Sequence, residues 1–190
     1  MYIGHIGVAL AARGGRTRAP IALLLFAAQA PDWIALTVAV FGVRDPLELW
    51  SHSVFAVAAG AAALTVAYLW RRRDWSGAAL LCAVYLSHPL LDLLTGRKPP
   101  WLGAQPVGAC LYHLPALDFI VEAAVLAAGW LVYYRSGRRA GTFVRGAAWW
   151  MLPALLGCQA LVDGAEGVRL WHYGLTGSGC SVPTLAPGGQ

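Results

Sequence analysis

Charge is scarce in this chain: 12% of its 190 residues are Asp, Glu, Lys or Arg, against 58% hydrophobic residues and a mean hydropathy of +0.58. Soluble domains carry roughly twice that share of charge, so the composition excludes an ordinary water-soluble globule. Catalytic motifs are scarce too. No nucleophile-elbow, P-loop or dinucleotide-binding pattern stands in a context that would support it, and the four cysteines, at 82, 110, 158 and 180, lack zinc-finger spacing. The chain shows no internal repeat and no polar stretch large enough to be a soluble domain. Its first dozen residues lack a basic region and a small-residue cleavage site, so no cleavable signal peptide is expected and the first span serves as the anchor.

Long apolar runs are what the sequence has instead. About 20 apolar residues cross a bilayer as a helix, and four segments qualify, near 20–42, 53–70, 76–95 and 117–134, with a weaker fifth near 144–163. Residues 1–12 are apolar but too short to span, so a half-inserted or interfacial helix is expected there. The expected architecture is an all-α integral membrane bundle of four to five transmembrane helices plus that half-inserted helix. Residues 1–163 form one membrane domain, and 164–190, rich in Gly, Pro, Ser and Thr, form a poorly ordered tail.

The net charge of +5 follows topology and does not suggest nucleic acid. Arg13, Arg16 and Arg18 precede the first span, Arg71, Arg72 and Arg73 follow the second, and Arg135, Arg138, Arg139 and Arg145 follow the fourth. The positive-inside rule puts these in the cytoplasm and the loops near 43–52 and 96–116, with the tail, outside. Cys110 and Cys180 are then both extracytoplasmic and able to pair, while Cys82 and Cys158 fall inside spans. Trp33, Trp50, Trp70, Trp101, Trp130, Tyr133 and Tyr134 read as the aromatic belt of the interfaces.

Polar residues inside the spans carry the chemistry. In "YLSHPLLDLLT", Tyr85, His88, Asp92 and Thr95 follow helical steps of three and four and form one stripe. His88 and Asp92, at i and i+4, can grip one cation, and Pro89 removes the amide that would pair with the Tyr85 carbonyl. Gln29 and Asp32 share a face of the first span beside Pro31, His52 opens the second span with Ser51 as a plausible N-cap, and Asp118 and Glu122 are i and i+4 at the start of the fourth. All can converge in the outer half of the membrane. Burying Asp32, Asp92 and Glu122 would cost together about 8 to 10 kcal/mol on insertion scales, comparable to the whole stability of a typical domain. A divalent cation would offset that cost, since zinc binding contributes about 10 to 16 kcal/mol in small sites. The competing interpretations are structural: a His88–Asp92 packing bond, His5 and His52 as interfacial histidines, and His113, Asp118 and His172 as solvated loop or helix-start residues.

The ordered series "GHIGVALAA", "AAQAPDW", "SHS", "LSHPLLDLLTG" and "DFIVE" is similar to the YdjM-like group of bacterial inner-membrane metal-dependent hydrolases, over roughly residues 1–125. The Arg-Gly that often precedes the family's "THS" motif is replaced here by "ELWSHS". The resemblance implies a multi-pass protein of the bacterial inner membrane, with His5, Asp32, His52, His88 and Asp92 as metal ligands or their immediate supports and Glu122 as a further polar group. Combined with the residues, it leads to the expectation of a hydrolase holding a divalent metal, zinc from the mixed His and Asp donors, and acting on a lipid or lipid-linked ester or phosphoester. Glu122 or Asp32 would be its general base. The alternatives are a non-catalytic metal or proton carrier built on the same residues and, third, a haem held between facing histidines.

Overall fold

A computed structural model of the chain describes residues 3–15, 17–41, 50–101, 104–139 and 145–172. Its elements are α1 (Gly4–Gly14), α2 (Ile21–Val40), α3 (Val54–Arg72), α4 (Trp75–Thr95), a 3-10 turn (Leu111–His113), α5 (Pro115–Arg139) and α6 (Arg145–His172). Among the described residues the only β pairing is an isolated bridge between Lys98 and Val107. Four helical stretches are long and apolar enough to cross a membrane: Ile21–Val38, Val54–Arg72, Trp75–Thr95 and Pro115–Arg138. The protein is a multi-pass helical bundle whose outer surface, with Phe55, Val66, Leu90 and Ile120 among its exposed side chains, is apolar as lipid contact requires.

Local chemistry sets the helix ends. Ser53 caps α3 by accepting the Ala56 amide, and Arg73 closes it in the left-handed region at φ 52°. Asp74 caps α4 by accepting from Gly77, and its exposed carboxyl is held below the ordinary carboxylate range by the Ser76 hydroxyl and then by the Gly77 amide. α6 passes through Gly164 and Gly167 to His172, so the segment expected to be a tail from 164 is helical through 172. Nothing there stops a helix outright, since the next proline is Pro183. The rest of the tail lies outside the described residues.

The short helix α1, 11 residues from Gly4 to Gly14 and too short to span a bilayer, is enclosed by the other helices. Gly4, His5, Gly7, Ala9, Leu10, Ala12 and Gly14 are all buried. It runs parallel to α5: a Cβ added at Gly7 would meet the backbone of Val125 and Leu126, one at Gly129 would fall on the Gly7 carbonyl, and one at Gly14 would meet Val132. Only glycine lets two helix backbones approach this closely. One apolar cluster joins Ala9, Leu24, Ala27, Ala28, Val57, Ala61, Leu81 and Val84 across α1, α2, α3 and α4, and another joins Ile3, Leu10, Leu126 and Trp130 to Met151, Leu152 and Leu155 of α6.

The arginine clusters gather at one end. α1 finishes beside Val132 in the last part of α5, and the start of α2 lies beside Arg71 and Arg72 at the end of α3. The loop after α4 covers the opposite end, where Pro100 accepts the Val54 amide. Cys110 in that loop is disulfide-bonded, whereas Cys82 and Cys158 are free. The remaining cysteine of the sequence is Cys180, which lies outside the described residues.

Candidate metal centre

Two helices and the turn before α3 bring four polar residues to one point, away from the arginine-rich end. Asp32 comes from the middle of α2, where Pro31 interrupts the amide ladder. His52 sits in the turn ahead of α3, and His88 and Asp92 lie on successive turns of α4 around Pro89. His52, His88 and Asp92 are buried, and the Asp32 side chain is 14% exposed. One donor atom from each of Asp32, His52, His88 and Asp92 lies within 4.8 Å of the others.

The hydrogen bonds around these four fix how they face. His88 Nδ1 donates to the Ala28 carbonyl at 2.7 Å, in the turn of α2 just before Pro31. A carbonyl can only accept, so this bond places the proton of neutral His88 on Nδ1 and leaves a lone pair on Nε2. That Nε2 lies 3.4 Å from Asp92 Oδ2 and 3.6 Å from Asp32 Oδ1 without a hydrogen-bond partner. His52 Nδ1 contacts the Ser51 hydroxyl at 2.9 Å, and its Nε2 lies 3.0 Å from Asp32 Oδ1 and 3.5 Å from Asp92 Oδ2. Ser51 therefore orients the histidine and does not cap α3, a role that Ser53 fills.

His5 joins from α1. Its Nε2 is 3.3 Å from Asp92 Oδ1 and 4.0 Å from Asp32 Oδ2, and its ring stacks on that of His88 with centroids 3.9 Å apart. It lies against the quartet, not within it. Two carboxylates ringed by three imidazoles can hold a cation, either a proton or a metal ion. Mixed nitrogen and oxygen donors, with the second ring nitrogens of His52 and His88 oriented by Ser51 and the Ala28 carbonyl, suit a divalent metal.

No family model matches this chain. No curated protein and no solved structure matches it either.

Glu122 is buried but does not join the quartet. Its Oε2 accepts the amides of Ile3 at 2.8 Å and Gly4 at 3.1 Å, which caps the N-terminus of α1. Ile3 offers no side-chain cap of its own, so a carboxylate from α5 supplies what the sequence beside α1 lacks. Asp118, expected to be solvated, is 2% exposed, because the face of α5 that carries Glu122 turns inward against α6. There Gln159 Nε2 donates to both carboxylate oxygens of Asp163 at 2.9 Å. Gln159 and Asp163 are buried polar residues that the sequence reading passes over; their i, i+4 spacing in an otherwise apolar stretch is the signal that could have found them. His113 is half-buried in the 3-10 turn and His172 is exposed at the end of α6. Tyr85, on the α4 stripe, packs its hydroxyl against Gly60 of α3 instead of facing the site.

Proposed function

We propose that the protein is a membrane-embedded hydrolase dependent on a divalent metal, of the YdjM-like kind, acting on a lipid or lipid-linked ester or phosphoester. The observation that carries this reading is the lone pair of His88 Nε2, aimed at two carboxylates with no hydrogen-bond partner. Two acceptors facing a third is unfavourable unless a cation lies between them. Asp32, His52, His88 and Asp92 would hold the metal, with His5 backing Asp92 and His88. A divalent ion there would supply Lewis-acid polarisation of the scissile group and lower the pKa of an attacking water. Zinc is the proposed ion, from the mixed donor set.

The residues' own tasks follow from their contacts. Ser51 and the Ala28 carbonyl hold the two imidazoles in orientation. Asp32 is the better general base of the two candidates, because its Oδ2 lacks a hydrogen-bond partner and it alone of the four is partly exposed, whereas Glu122 Oε2 is engaged by two amides. We place the site in the outer half of a bacterial inner membrane, with the arginine-rich end in the cytoplasm. The near-complete burial of the other three residues favours a second reading, a carrier that binds and releases a cation.

Purified protein washed free of loose ions should retain close to one divalent ion per chain by elemental analysis, and the loaded protein should release product from a panel of lipid esters and phosphoesters. Bound metal without turnover, together with metal counterflow in liposomes, would replace the hydrolase by the carrier. A washed protein that neither retains nor rebinds a divalent ion would end both metal readings.

A further inference from the structure

At the arginine-rich end, α2 and α3 separate and leave a cavity of about 460 Å³ between them, lined by Pro20, Leu23, Leu64, Tyr68, Arg71 and Arg72. The volume is within the range of small-molecule sites, roughly 300 to 1,000 Å³. Its walls are sharply divided. Leu23 and Leu64 are half-buried against the core, and Leu64 lies seven residues before Arg71, so the apolar part reaches roughly 11 Å into the helical bundle from the arginines. Tyr68 is buried, and its hydroxyl donates to Asp74 Oδ2 at 3.1 Å, which fixes one wall of the cavity.

The charge at the mouth is one-sided. Arg71 and Arg72 are exposed and form no ion pair with a described residue. Arg18 lies within electrostatic reach of Tyr68 and Asp74 beside the same opening. The one carboxylate there, Asp74, is already occupied by the Ser76 hydroxyl, the Gly77 amide and the Tyr68 hydroxyl. An apolar slot that ends in exposed guanidinium groups without an ion pair to a described residue is complementary to an amphiphile with an anionic head. Arg forks bind phosphate oxygens in pairs, and an acyl chain fills a slot that water would occupy at a cost.

We propose that this cavity is a binding site for one anionic glycerophospholipid, with its phosphate on Arg71 and Arg72 and an acyl chain along Leu23 and Leu64. The site is separate from the His and Asp centre and does not depend on what that centre does. Such a lipid would tie the start of α2 to the end of α3 where protein contact is sparse.

The test is native mass spectrometry of the full chain in detergent with equal amounts of phosphatidylglycerol and phosphatidylcholine of identical acyl chains. We expect one phosphatidylglycerol retained with at least tenfold preference. R71Q with R72Q should abolish that preference, because two surface arginines supply roughly 30-fold of attraction, and R71K with R72K should keep most of it. Leu64→Trp should expel the lipid with the arginines intact, and Ala67→Leu provides the same block should the first variant fail to fold. Equal retention of the two lipids, or a preference that survives R71Q with R72Q, would overturn the site. A preference insensitive to both blocking variants would reduce it to diffuse surface attraction. Displacement by glycerophosphate as effective as by intact lipid would assign the arginines to free phosphate and overturn it too.

Discussion

Two buried polar clusters lie in this bundle, and they solve the problem of charge in an apolar interior in different ways. In the first, Asp32, His52, His88 and Asp92 aim donor atoms at a common point within 4.8 Å. In the second, Asp118, Glu122, Gln159 and Asp163 are just as buried, but the partners of Glu122 and Asp163 are backbone amides and a side-chain amide. Among the described residues only the first cluster meets the geometry of a metal site. Burial of carboxylates therefore does not by itself mark a metal centre. What marks a candidate is convergence, with a buried, unpartnered ring nitrogen aimed at two carboxylates.

The largest expected effect sharpens that contrast. Asp92→Asn keeps the shape and can still contact His5 and His88, but it removes the charge a divalent ion needs, so the washed variant should lose most of its bound metal by elemental analysis. Equal metal in both proteins would sink Asp92 as a ligand. Glu122→Ala should instead leave the metal content near that of wild type and lower stability by about 3 kcal/mol in reversible unfolding, because two buried amides lose a charged acceptor. Metal loss in this variant on the scale of Asp92→Asn would break the comparison by making the two clusters one site.

Gln159→Leu leaves the Asp163 carboxylate without its two hydrogen bonds and should cost about 2 kcal/mol, again with metal retained. The smallest effect is expected for Ser51→Ala, which removes the partner of His52 Nδ1 and should weaken metal affinity about tenfold with little change in stability. Unchanged affinity in a competition titration would show that His52 does not need its orienting partner. Across all variants that bind metal, affinity should fall as pH drops, since the imidazoles must be neutral to act as ligands.

Much of this was legible in the chain. The spans stand out because each is a long run whose polar exceptions are few, and their ends lie close to the expected ones: 53–70 against Val54–Arg72, and 76–95 against Trp75–Thr95. Asp32, His52, His88 and Asp92 stand out for the same reason, as costly residues at helical spacing. The Ala28 carbonyl as the partner of His88 was not legible, because it depends on how α2 is rotated against α4, 60 residues away. The burial of Asp118 depends likewise on how α5 packs in the bundle, which no local pattern records, whereas the i, i+4 spacing of Gln159 and Asp163 was there to be read. For α1 the sequence shows that it is too short to span, and only the glycines facing α5 reveal which helix covers it.

The enclosure of α1 also sets an order of assembly. Its first amides are satisfied by a residue 119 positions further along the chain, and its glycines lie against a helix that is synthesised after every other partner of α1 except α6. Until α5 is in place, α1 has neither its cap nor the backbone surface it fits, so α1 docks only after the elements that follow it in the chain have been made. His5 travels with it. The side of the candidate metal centre that His5 closes is thus completed only once most of the bundle exists.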